Sequence, residues 1–291
     1  MKPHHIERLN RRFGRVRVPK IGWVRFRLSR PVPPDAKSYR VTRDRAGRWF
    51  ISFAHIPPDP IAGPGLGSVV GIDRGVVVSA ALSTGELLHA PPVLPPGESK
   101  RLKVLQRRLA RAERGSKRRV RTRLAIAKLN ARESDRRKDW VEKKATTDIA
   151  RRFDTIRLEA LDVRSMTRAA RGTVEHPGVH VANKRSLNRG IRRSGWGGLL
   201  AERLQHKASG RVEQVPAAYT SQRCSACGHV APGNRESQAV FECDSCDAGP
   251  CNADVNAARN IAAGRAVTAR GGDLGASRST NREPQLSSPA A

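Results

Sequence analysis

The sequence predicts an α/β protein in which a mixed sheet is joined to a cysteine-rich metal-binding module. Two observations predict this class. Short apolar strands alternate with helical stretches between residues 68 and 218, and two Cys-x-x-Cys pairs follow in the last quarter of the chain. The 291 residues are enough to bury a core of ordinary size.

The chain is strongly basic. Lysine and arginine number 56 against 26 aspartates and glutamates, which gives a formal net charge of +30. Because a compact fold with that much self-repulsion usually has a polyanionic partner, nucleic acid is the first candidate. A membrane is disfavoured, since no apolar run approaches the roughly 18 residues of a span and no hydrophobic signal segment follows Met1. We expect a cytoplasmic protein without membrane contact.

Residues 1–60 are predicted to form short strands in which apolar and basic residues alternate. The strings RVRVP, WVRFRL and RWFISFAHI begin at Arg15, Trp23 and Arg48. Their period of two predicts one buried face and one positive face. A segment rich in proline and glycine then ends at Gly67, and we interpret residues 61–67 as a linker.

Three apolar runs predict a three-stranded antiparallel meander at the start of the next region. They are SVVGID, VVVSAALS and ELLHA, and the first ends in Asp73. Later strands are TIRLEAL, which carries Glu159, and RVEQVP. The string NADVNAARNIAAGRA predicts a helix for which Asn252 is a suitable N-cap.

Residues 99–150 are predicted to be basic helices inserted between these strands. Leucines recur about every three to five residues, and Gly115 and Ser116 mark a break between two helices. The outer faces could follow a phosphate backbone, or they could be solvated helical surface. The basic segment between Glu159 and about Arg193 has no clear periodicity and is interpreted as a loop, and a helix is predicted near residues 197–208.

Four cysteines have the spacing of a zinc ribbon. Cys224 and Cys227 form one pair, Cys243 and Cys246 form the other, and fifteen residues separate the pairs. Each pair can place two thiolates on one side of a tetrahedral Zn²⁺ ion, which predicts a closed structural site. Two disulfides or a redox pair are the alternatives, and a cytosolic chain without a thioredoxin-like context disfavours both. Cys251 would be a fifth ligand and is expected to be a free thiol.

Three carboxylates occupy positions where a charge requires a reason. Asp73 ends an apolar strand, Glu159 lies within another, and Asp254 begins a helix. Three carboxylates that converge on Mg²⁺ have their repulsion offset by the ion, and two such ions could support phosphodiester hydrolysis. Each one taken singly is more often a helix cap or a salt-bridge partner, so spacing alone does not assemble the group.

Four strings resemble the signatures of the TnpB/OrfB family of insertion-sequence transposases, in the order found in that family. They are GIDRG at 71–75, RLEALDVRSM at 157–166, TSQRCSACG at 220–228 and ADVNAARNIAA at 253–263. The resemblance implies an RNase H-like (RuvC-like) core at 68–218 and a preceding partial, wedge-like β-barrel. It also implies a four-cysteine zinc ribbon at 219–250, a final helix at 251–267 and a disordered tail at 268–291.

The resemblance also implies a function. Family members are RNA-guided DNA endonucleases of prokaryotic insertion sequences, related to type V CRISPR effectors. The implied catalytic acids are Asp73, Glu159 and Asp254, which would hold Mg²⁺ or Mn²⁺. The implied partners are a guide RNA from the transposon right end, target DNA and a tyrosine transposase encoded by the same element, and the implied location is the cytoplasm beside the nucleoid.

Two departures from the family pattern bear on this expectation. The chain opens near the second strand of the family's barrel, which suggests an N-terminal truncation, and Cys251-Asn252-Ala253 replaces the residues common before the third acid. The alternatives to a nuclease are a non-cleaving nucleic-acid-binding regulator and an inactive truncated transposase.

Overall fold

The computed structural model describes residues 6–54, 59–195 and 198–264. The protein is a mixed α/β structure with two compact units. The first comprises the chain up to Asp59 together with Leu94–Glu133, and the second comprises Pro60–Val93 and the chain from Ser134 onward. Within the described ranges, no helix has both the length and the apolar character needed to cross a bilayer. The predicted tail, 268–291, lies outside the described residues.

The strands of the first unit form two separate antiparallel sheets. The first sheet has three strands and the second has two, and their bounds are β1 Ile6–Arg8, β2 Phe13–Val18, β3 Gly22–Arg27, β4 Ser38–Arg43 and β5 Trp49–Ala54. Strands β2, β3 and β5 were predicted from the sequence, whereas β1 and β4 were missed. The last two residues of the predicted RWFISFAHI strand lie outside the described range.

Alternation along β2 and β3 produces the two faces expected of this sheet. Val16 is only 1% exposed and Phe26 is half-buried on one face. The opposite face carries cross-strand pairs of arginine and aromatic residues, namely Phe13 with Arg27, Arg15 with Arg25, and Arg17 with Trp23. The predicted positive face is therefore present in this sheet.

The first unit also contains one complete helix and most of a second. Helix α1 spans Pro96–Arg111 and helix α2 spans Lys117–Asp139, so the predicted break at Gly115 is confirmed. Gly115 has a φ of +84°, a conformation that glycine adopts without a steric penalty. The buried contacts are made by a narrow leucine stripe that contains Leu102, Leu105 and Leu129, and the remaining faces are basic.

The second unit is built on a five-stranded mixed sheet. Its strands are β6 Val69–Asp73, β7 Ala80–Leu82, β8 Leu87–Leu88, β9 Thr155–Glu159 and β10 Val212–Val215, in the spatial order β10-β9-β6-β7-β8. Strands β10, β9 and β6 are parallel, whereas β6, β7 and β8 are antiparallel. The predicted mixed sheet and its meander are confirmed, although β7 and β8 are shorter than the apolar runs suggested.

Between and after these strands lie the helical elements of the second unit. They are a π-helical turn at Trp140–Ala145, α3 Thr146–Arg152, α4 Val163–Met166, α5 Val181–Ser194, α6 Gly198–Lys207 and α7 Ala253–Ala263. The interpretation of the segment before Arg193 as a loop was wrong for α5. Ile191 is the only apolar side chain of α5 that is fully buried among the described residues, and few apolar residues mark this helix in a basic segment.

The main core lies on one face of the mixed sheet. Val70 and Ile72 of β6 and Ile156 and Leu158 of β9 are at most 1% exposed. They pack in a single cluster with apolar side chains from the π-helical turn, α3 and α6, including Trp140, Val141, Ile149, Leu200 and Leu204. Because side chains alternate along a strand, Gly71, Asp73 and Glu159 lie on the opposite face.

The proline- and glycine-rich segment before β6 is fastened by one carboxylate. Asp154 accepts backbone hydrogen bonds from Gly65 at 2.8 Å, Leu66 at 3.0 Å and Ser68 at 2.9 Å. These bonds lower the pKa of Asp154, the bond from Gly65 most of all. The segment is therefore held at the end of α3 without secondary structure of its own.

Candidate metal centres

Asp73 and Glu159 lie at the carboxyl ends of two neighbouring parallel strands. Ile72 of β6 is level with Leu158 of β9, so the two acids are the next residues along their strands. Both point away from the main core, by the alternation described above. The two acids are far apart in the sequence, but the parallel pairing of β6 with β9 brings them close together.

Helix α7 brings Asp254 to the same face. The helix lies directly on β6, because a Cβ added to Gly71 would be 2.8 Å from the Cα of Ala262 and would collide with the carbonyl of Ala258. Asn252 caps this helix as predicted, with its side-chain oxygen accepting from the N–H groups of Asp254 at 3.1 Å and Val255 at 3.0 Å. Asp254 is in the first turn, at the end of the helix beside the other two acids.

The electrostatics of the three acids show that they share one site. The pKa of Asp73 is raised to about 8, first by burial and then by the charges of Glu159 and Asp254, whereas Arg235 opposes the rise. Burial also raises the pKa of Asp254, again against the effect of Arg235. The structure thus brings together all three carboxylates that the sequence analysis had singled out.

Two arginines balance part of this negative charge, and sequence reasoning assigned neither a role. Arg74 is 7% exposed, and its guanidinium donates a hydrogen bond to the backbone carbonyl of Glu159. Arg235 lies in the loop between the two cysteine pairs and contacts Asp254 Oδ1 through Nη2 at 3.2 Å. Nothing in the local sequence of Arg235 marks it, because its partner is fixed only by the fold.

The donor set fits a hard divalent cation. Three carboxylates supply oxygen ligands, which Mg²⁺ and Mn²⁺ prefer, and burial together with mutual repulsion is the energetic situation that a bound cation relieves. The oxygens of the three acids are farther apart than the sulfurs of the four cysteines. Among the described residues, the four cysteines are the only group of three or more potential ligands whose donor atoms all lie within 4.8 Å of one another.

The four predicted cysteines form that compact group. Cys224 Sγ lies 3.8 Å from Cys246 Sγ, and Cys227 Sγ lies 3.6 Å from Cys243 Sγ. All five cysteines are free thiols, so the two-disulfide alternative is excluded in this structure. Cys251 is half-buried beside the group but is not a member of it. Four sulfurs at these separations can hold one tetrahedral metal ion.

Short secondary-structure elements hold the two cysteine pairs in position. Strand β11 (Val240–Phe241) pairs with β12 (Cys251–Asn252), and a 3₁₀ turn spans Pro232–Asn234. Asn234 is fully buried, and its side chain donates to the carbonyl of Gln222 at 3.1 Å and accepts from the N–H of Asp244 at 3.2 Å. One asparagine therefore ties the segment before the first pair to the second pair.

Two asparagines of α7 join the cysteine module to the sheet. Asn256 and Asn260 both donate to the carbonyl of Arg223, at 2.8 Å and 2.7 Å, and Asn260 also donates to the carbonyl of Thr220 at 3.0 Å. They are four residues apart, so both lie on one face of the helix. The helix that carries Asp254 is in this way fixed to the first cysteine pair.

Comparison with known proteins identifies two family profiles. The profile described as "Probable transposase" (OrfB_IS605) matches residues 57–170, and the "Cas12f1-like, TNB domain" profile matches residues 198–261. The first contains Asp73 and Glu159, and the second contains the four cysteines and Asp254. The two profiles therefore divide the site between them.

Whole-chain relatives are also found. The chain is 37% identical over 286 residues to "Putative RNA-guided DNA endonuclease InsQ" of Escherichia coli (strain K12), which covers 95% of the chain and 69% of that protein. It is 34% identical over 269 residues to "Putative RNA-guided DNA endonuclease" of Streptomyces pristinaespiralis, which covers 88% of the chain and 60% of that protein.

A solved structure described as "Cryo-EM structure of the Cas12f1-sgRNA-target DNA complex" aligns with a TM-score of 0.47 and 19% identity, over 74% of this chain and 42% of that one. The chain thus spans between three fifths and seven tenths of the two curated relatives. The extent of its identity to InsQ assigns its family: the chain belongs to the TnpB/OrfB family of insertion-sequence transposases.

Proposed function

We propose that the protein is a transposon-encoded, RNA-guided, metal-dependent DNA endonuclease with a RuvC-like core. The observation that carries this proposal is the placement of Asp73, Glu159 and Asp254 on one face of the mixed sheet, where burial and their charges raise the pKa of Asp73 to about 8. Buried acids whose charges repel one another in this way are typical of a site that binds a cation. The names of the two whole-chain relatives support the same function.

In this proposal Asp73, Glu159 and Asp254 hold Mg²⁺ or Mn²⁺. When bound, a pair of such ions activates the attacking water and stabilises the leaving oxygen of an in-line phosphodiester displacement. The carboxylates orient the reaction, and Arg74 keeps the end of β9 in place through the carbonyl of Glu159. Arg235 gives Asp254 a counter-ion within the protein at 3.2 Å.

The four cysteines are proposed to hold a structural Zn²⁺ ion in a zinc ribbon. The site is closed, since four thiolates fill a tetrahedral coordination shell and leave no position for a reacting water. Its task is to fix the loop that carries Arg235 and the segment that α7 binds through Asn256 and Asn260. Zinc would therefore support cleavage by holding these segments in place, and it would take no part in the reaction itself.

A basic and aromatic face on the first unit is suited to RNA. We name it the β2–β3 face, and it consists of Phe13, Arg15, Arg17, Trp23, Arg25 and Arg27. The Arg15 guanidinium lies 4.6 Å from the centroid of the Trp23 ring, and that of Arg25 lies 3.9 Å from the Phe13 ring. Such guanidinium–aromatic pairs offer flat surfaces for unpaired bases and positive charge for phosphates.

An open groove adjoins Glu159 at the end of β9, without Asp73 or Asp254 in its lining. Its volume is about 440 Å³, and its lining includes Arg74, Asp162, Gln205 and Gln214. That volume lies within the range of ordinary ligand sites, roughly 300–1,000 Å³. In this proposal Arg74 and the two amide side chains contact the nucleic acid on the Glu159 side of the site.

The remaining assignments follow from this function. We propose a wedge-like partial barrel at 1–60, a nuclease core at 68–218, a ribbon at 219–250 and a closing helix from 251. The guide RNA would come from the transposon right end, and base pairing would read the target DNA while basic surfaces hold the backbone. Strand transfer would require a tyrosine transposase from the same element, and the enzyme would work in the cytoplasm beside the chromosome.

The test is co-purification of RNA followed by cleavage of a DNA library matched to that RNA in Mg²⁺. Asp73→Ala removes a proposed ligand and should abolish cutting while leaving the RNA bound. Asp148→Ala is the matched control, because Asp148 is an exposed acid that pairs with Arg152 at 2.7 Å on α3. It should cut as the parent does.

The outcomes separate the candidate functions. Cutting that depends on Mg²⁺ and on Asp73 supports the nuclease. A discrete RNA bound without any cutting by the parent chain would favour a non-cleaving regulator. Equal cutting by the parent and by Asp73→Ala would reject the carboxylate site.

A further inference from the structure

Thr220 connects the cysteine module to one of the three acids. It lies in the turn between β10 and Cys224 and is 3% exposed. Its hydroxyl oxygen is 2.5 Å from Glu159 Oε1 and 3.1 Å from the carbonyl oxygen of Ala217. A threonine hydroxyl has a single proton, and the carboxylate is the closer and the charged acceptor, so the proton is donated to Glu159.

The backbone of Thr220 is itself held in place. Its carbonyl accepts the hydrogen bond from Asn260 of α7 at 3.0 Å. The turn that contains Thr220 is closed by Tyr219, whose carbonyl accepts from the N–H groups of Gln222 and Arg223, both at 3.0 Å. The backbone of Thr220 is thus fixed independently of Glu159.

Helix α7 therefore helps to position two of the three acids. Asp254 is on α7, and Asn260 of the same helix holds Thr220, which in turn donates to Glu159. A glutamate has three side-chain torsions, and a buried hydroxyl directed at one carboxylate oxygen removes most of that freedom. Groups that orient a ligand in this way usually change metal affinity or activity by about 10- to 100-fold when they are removed.

We propose that Thr220 is a positioning residue, which fixes the Glu159 carboxylate for divalent-cation binding and makes that orientation depend on the docked cysteine module. This inference rests on the proposed function for its consequence in cleavage. It does not require cleavage for its test, because cation binding can be measured directly.

The experiment compares Thr220→Val, which keeps the shape and loses the hydroxyl, with Thr220→Ser, which keeps the hydroxyl. Thr122→Val is the matched control, since Thr122 is a buried threonine whose hydroxyl donates to the carbonyl of Arg118 at 2.9 Å within α2. Mn²⁺ affinity of the zinc-loaded full chain is measured by calorimetry. Zinc content, Tm and the Mg²⁺ concentration for half-maximal cleavage are measured beside it.

We expect Thr220→Val to weaken Mn²⁺ binding by about 10- to 100-fold and to raise the Mg²⁺ requirement, with zinc content unchanged. Thr220→Ser should restore most of the affinity, and Thr122→Val should bind Mn²⁺ as the parent does. Parental Mn²⁺ affinity in Thr220→Val would overturn the proposal, and so would loss of zinc in that variant, which indicates a purely structural role. A parent that binds Mn²⁺ but never cuts would count against the nuclease function alone.

Discussion

The surroundings of Asp73 disfavour the ionised form of its carboxyl group. Burial is the largest cause of its raised pKa, and Glu159 and Asp254 add to it. Arg74 and Arg235 offset only part of this effect. In the absence of a divalent cation the residue therefore costs the protein stability once it is ionised.

The sign of this cost gives a pH-dependent prediction. The folded pKa is about 8 and the ordinary value is 3.8, so between these values the folded chain keeps a proton that the unfolded chain releases. Stability without Mg²⁺ must then fall as the pH rises from about 4 to about 8. Asp73→Asn should remove this loss and stabilise the zinc-loaded protein at pH 8 by roughly 5 kcal/mol, at about 1.4 kcal/mol for each unit of pKa.

Denaturant unfolding at pH 5 and pH 8 measures the effect, and the gain should be larger at pH 8. A gain that is the same at both values would show that the pKa of Asp73 is not raised by folding. The control is Asp148→Asn, an exposed acid for which no such difference is expected.

At this scale the sequence predicted the acids and the cysteines but not the residues that hold them. Asp73 and Glu159 stand out because a charge at the end of an apolar run is unusual, and the cysteines because of their spacing. Thr220, Arg235 and Asn260 are ordinary polar residues in the sequence. Their partners lie 61, 19 and 40 positions away, so only the fold reveals the contacts.

Among the elements, helix α7 can pack directly on β6 because Gly71 has no side chain. Gly71 lets the helix backbone lie against β6, and the same approach sets the position of Asp254. Arg157 of β9 also donates to the carbonyl of Ala262, near the end of the helix. Both contacts fix the C-terminal half of α7 on the sheet.

Gly71→Ala should therefore be severely destabilising. Its Cβ would meet the backbone of α7 and not a flexible side chain, so the helix must move, at a cost of at least about 2 kcal/mol. Urea unfolding measures this cost. Gly97→Ala is the control, because nothing lies within 4 Å of its added Cβ and its φ is not positive. A neutral Gly71→Ala would show that α7 does not rest on β6.

The cysteine module gives a second prediction for an element. Cys227→Ser removes one ligand of the four-sulfur group and should cost the protein its zinc, as measured by metal analysis after gel filtration. Cys251→Ser should keep it, because Cys251 lies outside that group. Equal zinc content in the two variants would contradict the assignment of ligands.

Helix α5 shows where pattern reading fails for an element. Strands β6 and β9 were recognised because nearly every residue facing the main core is apolar. In α5 Asn188 and Ser194 are among the buried residues, and Asn188 donates to the carbonyl of Arg168 at 2.8 Å. Because polar contacts hold part of this helix, few apolar residues mark its buried side in the sequence.

For the molecule as a whole, charge is the dominant property. A net charge of +30 is spread over strands and helices alike, and 26 acidic side chains cannot neutralise 56 basic ones. Attraction to nucleic acid must then weaken steeply with added salt, because the entropy gained by releasing counterions becomes smaller. The β2–β3 face adds aromatic rings, whose stacking is far less sensitive to salt.

This difference predicts two kinds of variant in RNA binding. Arg25→Ala should reduce the slope of log affinity against log salt by about 1, whereas Trp23→Ala should weaken binding by about 1–3 kcal/mol with little change in slope. Filter binding of the co-purified RNA at several salt concentrations measures both. Leu66→Ala, which changes a side chain that is 84% exposed and outside this face, is the control. Identical behaviour of all three variants would remove the face from the RNA interface.

The order of the three acids along the chain has a consequence during synthesis. Asp73 and Glu159 can pair on adjacent strands as soon as β9 has left the ribosome, but Asp254 follows only after the whole cysteine module has been made. A nascent or prematurely terminated chain therefore lacks the third carboxylate, whatever else has folded. The order of the sequence thus delays completion of the acid site until the cysteine module that holds Asp254 has been made.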